Sequence, residues 1–198
     1  MDLIKKILSI LALYLLLSGN SMAKEQALDI CGKVKICIKD FKIENMGIGD
    51  SLIKYFDEKK IKELKKNKRK YKNNKYTTLV YEGKNEYDEV WVSYLTKDKS
   101  YEIAYIKGIK VIGKKQDCRK AVEKFKSELI SSWNMTLMKT KNRKNSIENY
   151  MFGAPALDRN WFWGGLGCSR DTGGGFNLYV APQTETWAKW NRKALIDY

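Results

Sequence analysis

The chain has 198 residues, with 38 Lys and Arg against 23 Asp and Glu for a formal net charge of +15, four Cys, two Pro and no His. An apolar content of 43% is enough to bury an ordinary core in one compact domain or two small ones, and this argues against disorder. Without His, Ser-His-Asp and Cys-His nucleophile activation, HExxH zinc hydrolysis and His-ligated haem each lack a necessary group.

Residues 2–23 place Lys5 and Lys6 before an apolar stretch from Ile7 to Leu17 and a small-x-small ending, Ser21-Met22-Ala23. This is the layout of a secretory signal peptide cut before Lys24, so residues 1–23 are read as a signal and 24–198 as a single domain. At about 1.5 Å per residue the stretch is short for a ~30 Å hydrocarbon core, although an uncleaved anchor is the alternative. No later segment of the sequence is a span candidate. The expected location is therefore exported, periplasmic or secreted, where disulfides persist. Among Cys31, Cys37, Cys118 and Cys168, the first choice of bridge is Cys118 with Cys168, which pins a helix to a strand. Cys31 with Cys37 follows by elimination. Against that second pair, Val34, Ile36 and Ile38 alternate as in a strand, which would hold the two Cys roughly 20 Å apart at ~3.3 Å per residue.

Residues 29–48 read as extended, and GIGDSL at 47–52 as a tight turn, with Asp50 or Ser51 capping a helix that carries Leu52, Ile53, Tyr55 and Phe56 and ends by Asn73-Asn74. Asp57 offers a second cap, so two short pieces with a kink are expected. Three strands follow at Tyr76–Tyr81, Glu89–Leu95 and Tyr101–Ile112, with Gly108 suggesting a bulge. DCRKAVEKFKSELISSW from Asp117 has helical spacing, and Asp117 is its expected cap. Residues 134–160 read as a long polar connection, Trp161–Cys168 and Phe176–Val180 as strands, and a short helix follows Pro182. The expected class is α+β, with an antiparallel sheet made of a three-stranded meander plus a C-terminal hairpin, packed against two main helices.

The charge is local: residues 1–23 and 151–198 each carry a net +1, which leaves +13 on residues 24–150. Its densest stretch holds Lys59, Lys60, Lys62, Lys65, Lys66, Lys68, Arg69, Lys70 and Lys72, with Glu63 as the one acid from Lys59 to Lys75. Such a stripe can hold the phosphates of lipid headgroups or an anionic envelope polymer, while export makes nucleic acid an unlikely partner. A solvated face in a sequence rich in Lys, Asn, Ile and Tyr is the preferred reading, since selection for bidentate phosphate recognition would favour Arg.

Ser51-Leu52-Ile53-Lys54 is an SxxK at an expected helix start, the arrangement in which Lys activates Ser in penicillin-binding proteins. The partner motifs SDN and KTG are absent, and an N-cap role explains Ser51. GGLGCSRDTGGG at 164–175 joins two expected strands and lacks the following helix of a phosphate loop, so it reads as a flexible hairpin with close backbone packing. Trp161 with Trp163 and Trp187 with Trp190 read as core pairs, with a glycan or lipid contact as the alternative. No catalytic residue, metal site or cofactor is singled out.

The stretch IENMGIGDSLIKYFDEKKI, followed by three strands and a helix opening Asp-Cys-Arg-Lys, resembles a group of small, uncharacterised exported proteins from AT-rich bacteria. The resemblance covers residues 41–132 and implies a periplasmic α+β domain with no known activity. The Cys31/Cys37 pair and the segment 134–160 depart from that group. At fold level the chain is also similar to outer-membrane assembly accessory proteins of the BamE type, whose lipid-anchoring Cys is absent here. The sequence thus points to a non-catalytic binding or accessory module of the envelope. Its alternatives are a basic-surface binder of anionic lipid or polysaccharide and a hydrolase using Ser51 and Lys54.

Overall fold

The computed structural model describes residues 38–67, 74–140, 146–153, 164–184, 186–188, 190 and 191. They form an α+β structure dominated by one antiparallel sheet of seven strands. A two-stranded hairpin, β1 (Lys42–Ile43) and β2 (Met46–Gly47), comes first. Its turn residues Glu44 and Asn45 have φ of 51° and 68°, the left-handed pair that matches the twist of a two-residue hairpin. A single 3-10 turn at Leu52–Lys54 and a short helix α1 (Glu58–Leu64) follow. Asp57 caps α1 through a bond from the Lys60 N–H at 2.7 Å, so the kinked two-piece helix is as expected.

Strands β3 (Tyr76–Glu82), β4 (Glu89–Leu95) and β5 (Ile103–Val111) form the meander, and helix α2 (Lys115–Ser131) comes next. The cap of α2 is Lys114, without a side-chain bond, so Asp117 sits inside the first turn. Strands β6 (Thr136–Lys139), β7 (Ser146–Gly153), β8 (Gly164–Arg170) and β9 (Phe176–Pro182) complete the sheet in the order β3-β4-β5-β9-β8-β7-β6. Two expectations are corrected. The meander and the β8-β9 hairpin are parts of one sheet joined by β5-β9 pairing, and the segment read as a connection at 134–160 contains β6 and β7. Trp161, Trp163 and the first residues of the expected strand lie outside the described residues.

Residues directly opposite across antiparallel strands share a face, so the register divides the sheet cleanly. Tyr81, Val90, Gly108, Val180, Leu166 and Tyr150 form one transverse lane. This packed face meets α2, α1 and the small hairpin; Leu52, Ile61, Val122, Leu129, Phe152, Leu166 and Val180 are all buried beneath them. Gly108 lies here because the Tyr87 ring lies over it: a Cβ would stand 2.4 Å from that ring. The register shifts of the sheet are elsewhere, at Ser93/Tyr94 of β4 and Ser146/Glu148 of β7, so Gly108 is a packing glycine and not a bulge.

The opposite lane runs Glu89, Ile109, Tyr179, Gly167 and Asn149. On this open face the chain turns back after Pro182. Thr184 N–H donates to the Ala104 carbonyl at 2.7 Å, and the Trp187 N–H donates to Thr184 Oγ1 at 3.2 Å. These bonds start the helical residues 186–188 against β5, where Trp187 stacks on Tyr105 at 3.9 Å and 6° and Trp190 meets Tyr76 at 4.9 Å. Trp187 and Trp190 are core residues, as their helical spacing predicts.

Candidate functional site

The sites singled out in the sequence are placed first. Asp50 of GIGDSL is a structural hub: its Oδ2 accepts bonds from Lys42 Nζ at 3.0 Å, Gly47 N at 2.8 Å and Tyr55 Oη at 2.7 Å. Gly49 has φ +86°, which a side chain would strain, and its N–H donates to the Ile103 carbonyl. The motif thereby clips the hairpin to the start of β5. Burial raises the Asp50 carboxyl, but the Tyr55, Lys42 and Gly47 bonds outweigh it and hold the group below its ordinary 3.8. Tyr55 is pushed up to about 12 by burial and by donating to Asp50.

Glu44 plays the same part at the hairpin tip. Its Oε1 accepts from the N–H groups of Asn85, Glu86 and Tyr87, and its Oε2 from Asn85 Nδ2 at 2.6 Å. Burial raises this carboxyl, and those bonds take it below its ordinary 4.5. A carboxylate with a lowered native pKa binds its proton more weakly folded than unfolded. Its stabilisation is therefore complete above the unfolded value and lost as pH falls through the native one. The melting temperature should fall below pH ~4, and that fall should be shallower in Glu44→Gln and Asp50→Asn, as a calorimetric pH series would show.

Ser51 is the cap expected. Its Oγ accepts from the Ile53 N–H at 3.4 Å and donates to the Ser100 carbonyl at 2.5 Å, while Lys54 Nζ lies 3.8 Å from Asp50 Oδ1. Activation needs the lysine to take the serine proton. Here the proton is directed to a carbonyl and the ammonium to a carboxylate, so the SxxK pair is arranged for structure.

The lysine stripe is described in part. Lys60 pairs with Glu63 at 3.0 Å and Lys62 with Glu58 at 3.6 Å on the surface of α1, and Lys65 Nζ stands 5.0 Å from the Tyr101 ring centre and 5.7 Å from that of Tyr94. Among the described residues no acid forms an ion pair with Lys59 or Lys66, and Lys68, Arg69, Lys70 and Lys72 lie outside the described residues. Cys118 and Cys168 form a disulfide with 6.0 Å between Cα atoms, and both are fully buried. This bridge is consistent with an oxidising compartment. Cys31 and Cys37 lie outside the described residues. Among the described residues no cluster of acidic or cysteine side chains could hold a metal ion, and no helix is long and apolar enough to cross a membrane.

What the sequence did not disclose is a groove of about 550 Å³ on the open face, over β7, β8 and β9. Its floor is the glycine-rich β8. A Cβ at Gly167 would stand 2.5 Å from Asn149 Oδ1, 2.6 Å from the Glu148 carbonyl oxygen and 2.8 Å from Tyr179 Oη. The missing side chain is what lets Tyr179 reach across β8 and donate to Asn149 Oδ1 at 2.6 Å. Gly165, one lane along, meets nothing closer than 3.8 Å, and the space above it is the groove.

The walls are aromatic and polar. Tyr105, Tyr179, Met151 and Trp187 supply apolar surface, and Thr140, Ser146, Ser169 and Gln183 supply hydroxyls and an amide. Lys107 is the one charged side chain among the described lining residues, its Nζ lying 4.6 Å from the Trp91 ring centre and 4.9 Å from that of Tyr179. Ser146 Oγ and Trp187 Nε1 are covered and have no hydrogen-bond partner among the described residues. The sequence signal was the Gly164, Gly165, Gly167 spacing, which alternation in a strand would aim partly at one face.

The chain matches no known family model, no curated protein and no solved structure. The site must therefore be read from its own geometry.

Proposed function

We propose that this protein is an exported, disulfide-stabilised binding module of the cell envelope, without chemistry of its own, and that the groove on the open face takes its ligand. The groove's volume carries this reading: about 550 Å³ lies within the range of small-molecule and peptide sites, walled by ordered aromatic rings with polar groups converging on it. Export is supported by the signal-like residues 1–23 and by the buried Cys118–Cys168 bridge. A non-catalytic role is supported by Ser51 and Lys54 each being engaged elsewhere and by the absence of carboxylates among the described groove residues. The envelope placement also follows the resemblance carried by GIGDSL.

The second reading, a basic surface that binds anionic lipid or polysaccharide, rests on the lysine excess of Lys59–Lys66. The two are separated by co-sedimentation of the purified protein with an envelope fraction. Groove binding predicts retention that persists at high salt and falls at least about tenfold in Gly165→Leu, which fills the open space above that residue. The lysine stripe predicts the reverse: loss at high salt and no effect of Gly165→Leu. That second pattern would overturn the groove reading.

A further inference from the structure

We propose that a second site, on the packed side of the sheet, binds a quaternary ammonium group. It is a cavity of about 140 Å³ between the start of the small hairpin, the β3-β4 loop and the second half of α2. It shares no lining residue with the groove, so the groove reading stands or falls separately. Four rings line it: Phe41, Tyr87, Phe125 and Trp133. Phe41 meets Trp133 at 5.3 Å between ring centres and 57°, and Phe152 at 5.9 Å, while the Tyr87 ring lies over Gly108. Phe41 and Trp133 are thus two walls set at an angle, fixed by packing before any ligand arrives. Phe125 and Trp133 are only half-buried, so the fold leaves aromatic surface uncovered here.

The same cavity is bordered by two carboxylates, Glu86 from the loop and Glu128 from α2. Among the described residues neither forms an ion pair: Lys120 and Lys126 of α2 pair instead with Asp117 at 4.0 Å and Glu123 at 2.9 Å. Lys42, the one cation of the lining, is taken by Asp50 at 3.0 Å. Burial raises the Tyr87 hydroxyl, and the charges of Glu86, Glu128 and Glu44 push it the same way, so both cavity carboxylates act on one of the walls. Aromatic walls with two acids at the border favour a cation that also has an apolar surface.

Other cations fit this lining less well. A hard metal ion needs about six oxygen ligands, more than this border offers. A primary ammonium carries three donors and a firmly held water shell, and rings replace neither. A quaternary ammonium donates no hydrogen bond and spreads its charge over methyl groups that pack on rings. Size agrees: a cavity of ~150 Å³ holds a benzene-sized guest, and a trimethylammonium head has fewer heavy atoms than benzene.

The test is a titration of the isotope-labelled protein with choline, with its neutral tert-butyl isostere dimethylbutanol, and with ethanolamine, read at the Trp133 indole and the Glu86 and Glu128 amides. Choline should shift these signals and bind at least about tenfold more tightly than either of the others. Glu86→Gln combined with Glu128→Gln, both at exposed positions, should weaken choline about tenfold and leave the isostere unchanged. Trp133→Leu, which keeps apolar bulk, should reduce the preference for choline over the isostere, and Gly165→Leu should leave it intact. Retention on phosphatidylcholine vesicles, lost in the double Glu variant, assigns the ammonium to a lipid headgroup; choline binding without retention assigns it to a free solute. Both outcomes support the site. No shift at about 50 mM choline, equal binding of the isostere, or choline binding unchanged in a folded double Glu variant overturns the assignment.

Discussion

Replacing Cys118 and Cys168 together by Ala should lower the stability of the domain by about 4 kcal/mol, the chain-entropy value for a bridge whose partners are 50 residues apart. The closed loop contains most of α2, all of β6 and β7 and the first residues of β8, so the bridge restricts the β8-β7-β6 end of the sheet. Both Cys residues are completely buried, between α2 and the packed face of the sheet, where Leu166 of β8 and Leu178 of β9 also lie. The replacement therefore loses packing as well as the cross-link, and reduction with dithiothreitol should reproduce most of the effect. Urea unfolding of the oxidised, reduced and substituted proteins checks this. A change below about 1 kcal/mol would show that the bridge contributes little to the fold.

The second large effect is expected at Gly167. Gly167→Ala brings a methyl group within 2.6 Å of the Glu148 carbonyl oxygen, which is backbone and cannot swing away. It also drives Tyr179 off Asn149, leaving an amide that is 7% exposed without the partner it has now. Overpacking and the orphaned amide together should cost roughly 3 kcal/mol. Gly165→Ala, two residues earlier on the same strand and the same face, meets nothing closer than 3.8 Å and should be neutral or slightly stabilising. The contrast between two chemically identical substitutions is read by thermal melts. Equal effects would mean that the Tyr179–Asn149 bridge over β8 does not form in solution.

These glycines also explain which parts of the fold were legible. The meander could be read because Val90, Val92 and Tyr94 lie on the packed face and Trp91 and Ser93 on the other, so a period of two survives in the sequence. The same holds for α2, whose Cys118, Val122 and Leu129 are buried at helical spacing. Strand β7 was hidden by the groove itself. On its open face stands Asn149, a polar residue where a two-sided core would place an apolar one, so Ser-Ile-Glu-Asn-Tyr reads as connection. Strand β6 was hidden for a different reason: it is an edge strand of four residues with only Leu137 half-buried, and burial leaves little mark on its pattern.

The candidate sites were legible in the opposite sense. The motif that looked chemical, Ser51-x-x-Lys54, is a cap, and the GIGDSL turn around it adds a left-handed glycine and a carboxylate hub that hold the hairpin on the sheet. The groove has no motif because its residues come from four strands and the C-terminal helical turn, which no linear spacing brings together. Only the glycine spacing in β8 marked the place, and it first read as flexibility. In the fold Gly165 is open floor, Gly167 makes room for the Tyr179–Asn149 bond and Gly164 for the Phe152 ring.

The central claim is that this floor, and not the lysine stripe, meets the ligand. Amide and indole chemical shifts of the isotope-labelled protein, recorded with and without a solubilised envelope fraction, test it most directly. The account predicts shifts at Gly164, Gly165, Gly167 and the Trp187 indole, with Lys59–Lys66 unchanged. Shifts confined to Lys59–Lys66, with the glycines of β8 unmoved, would contradict it.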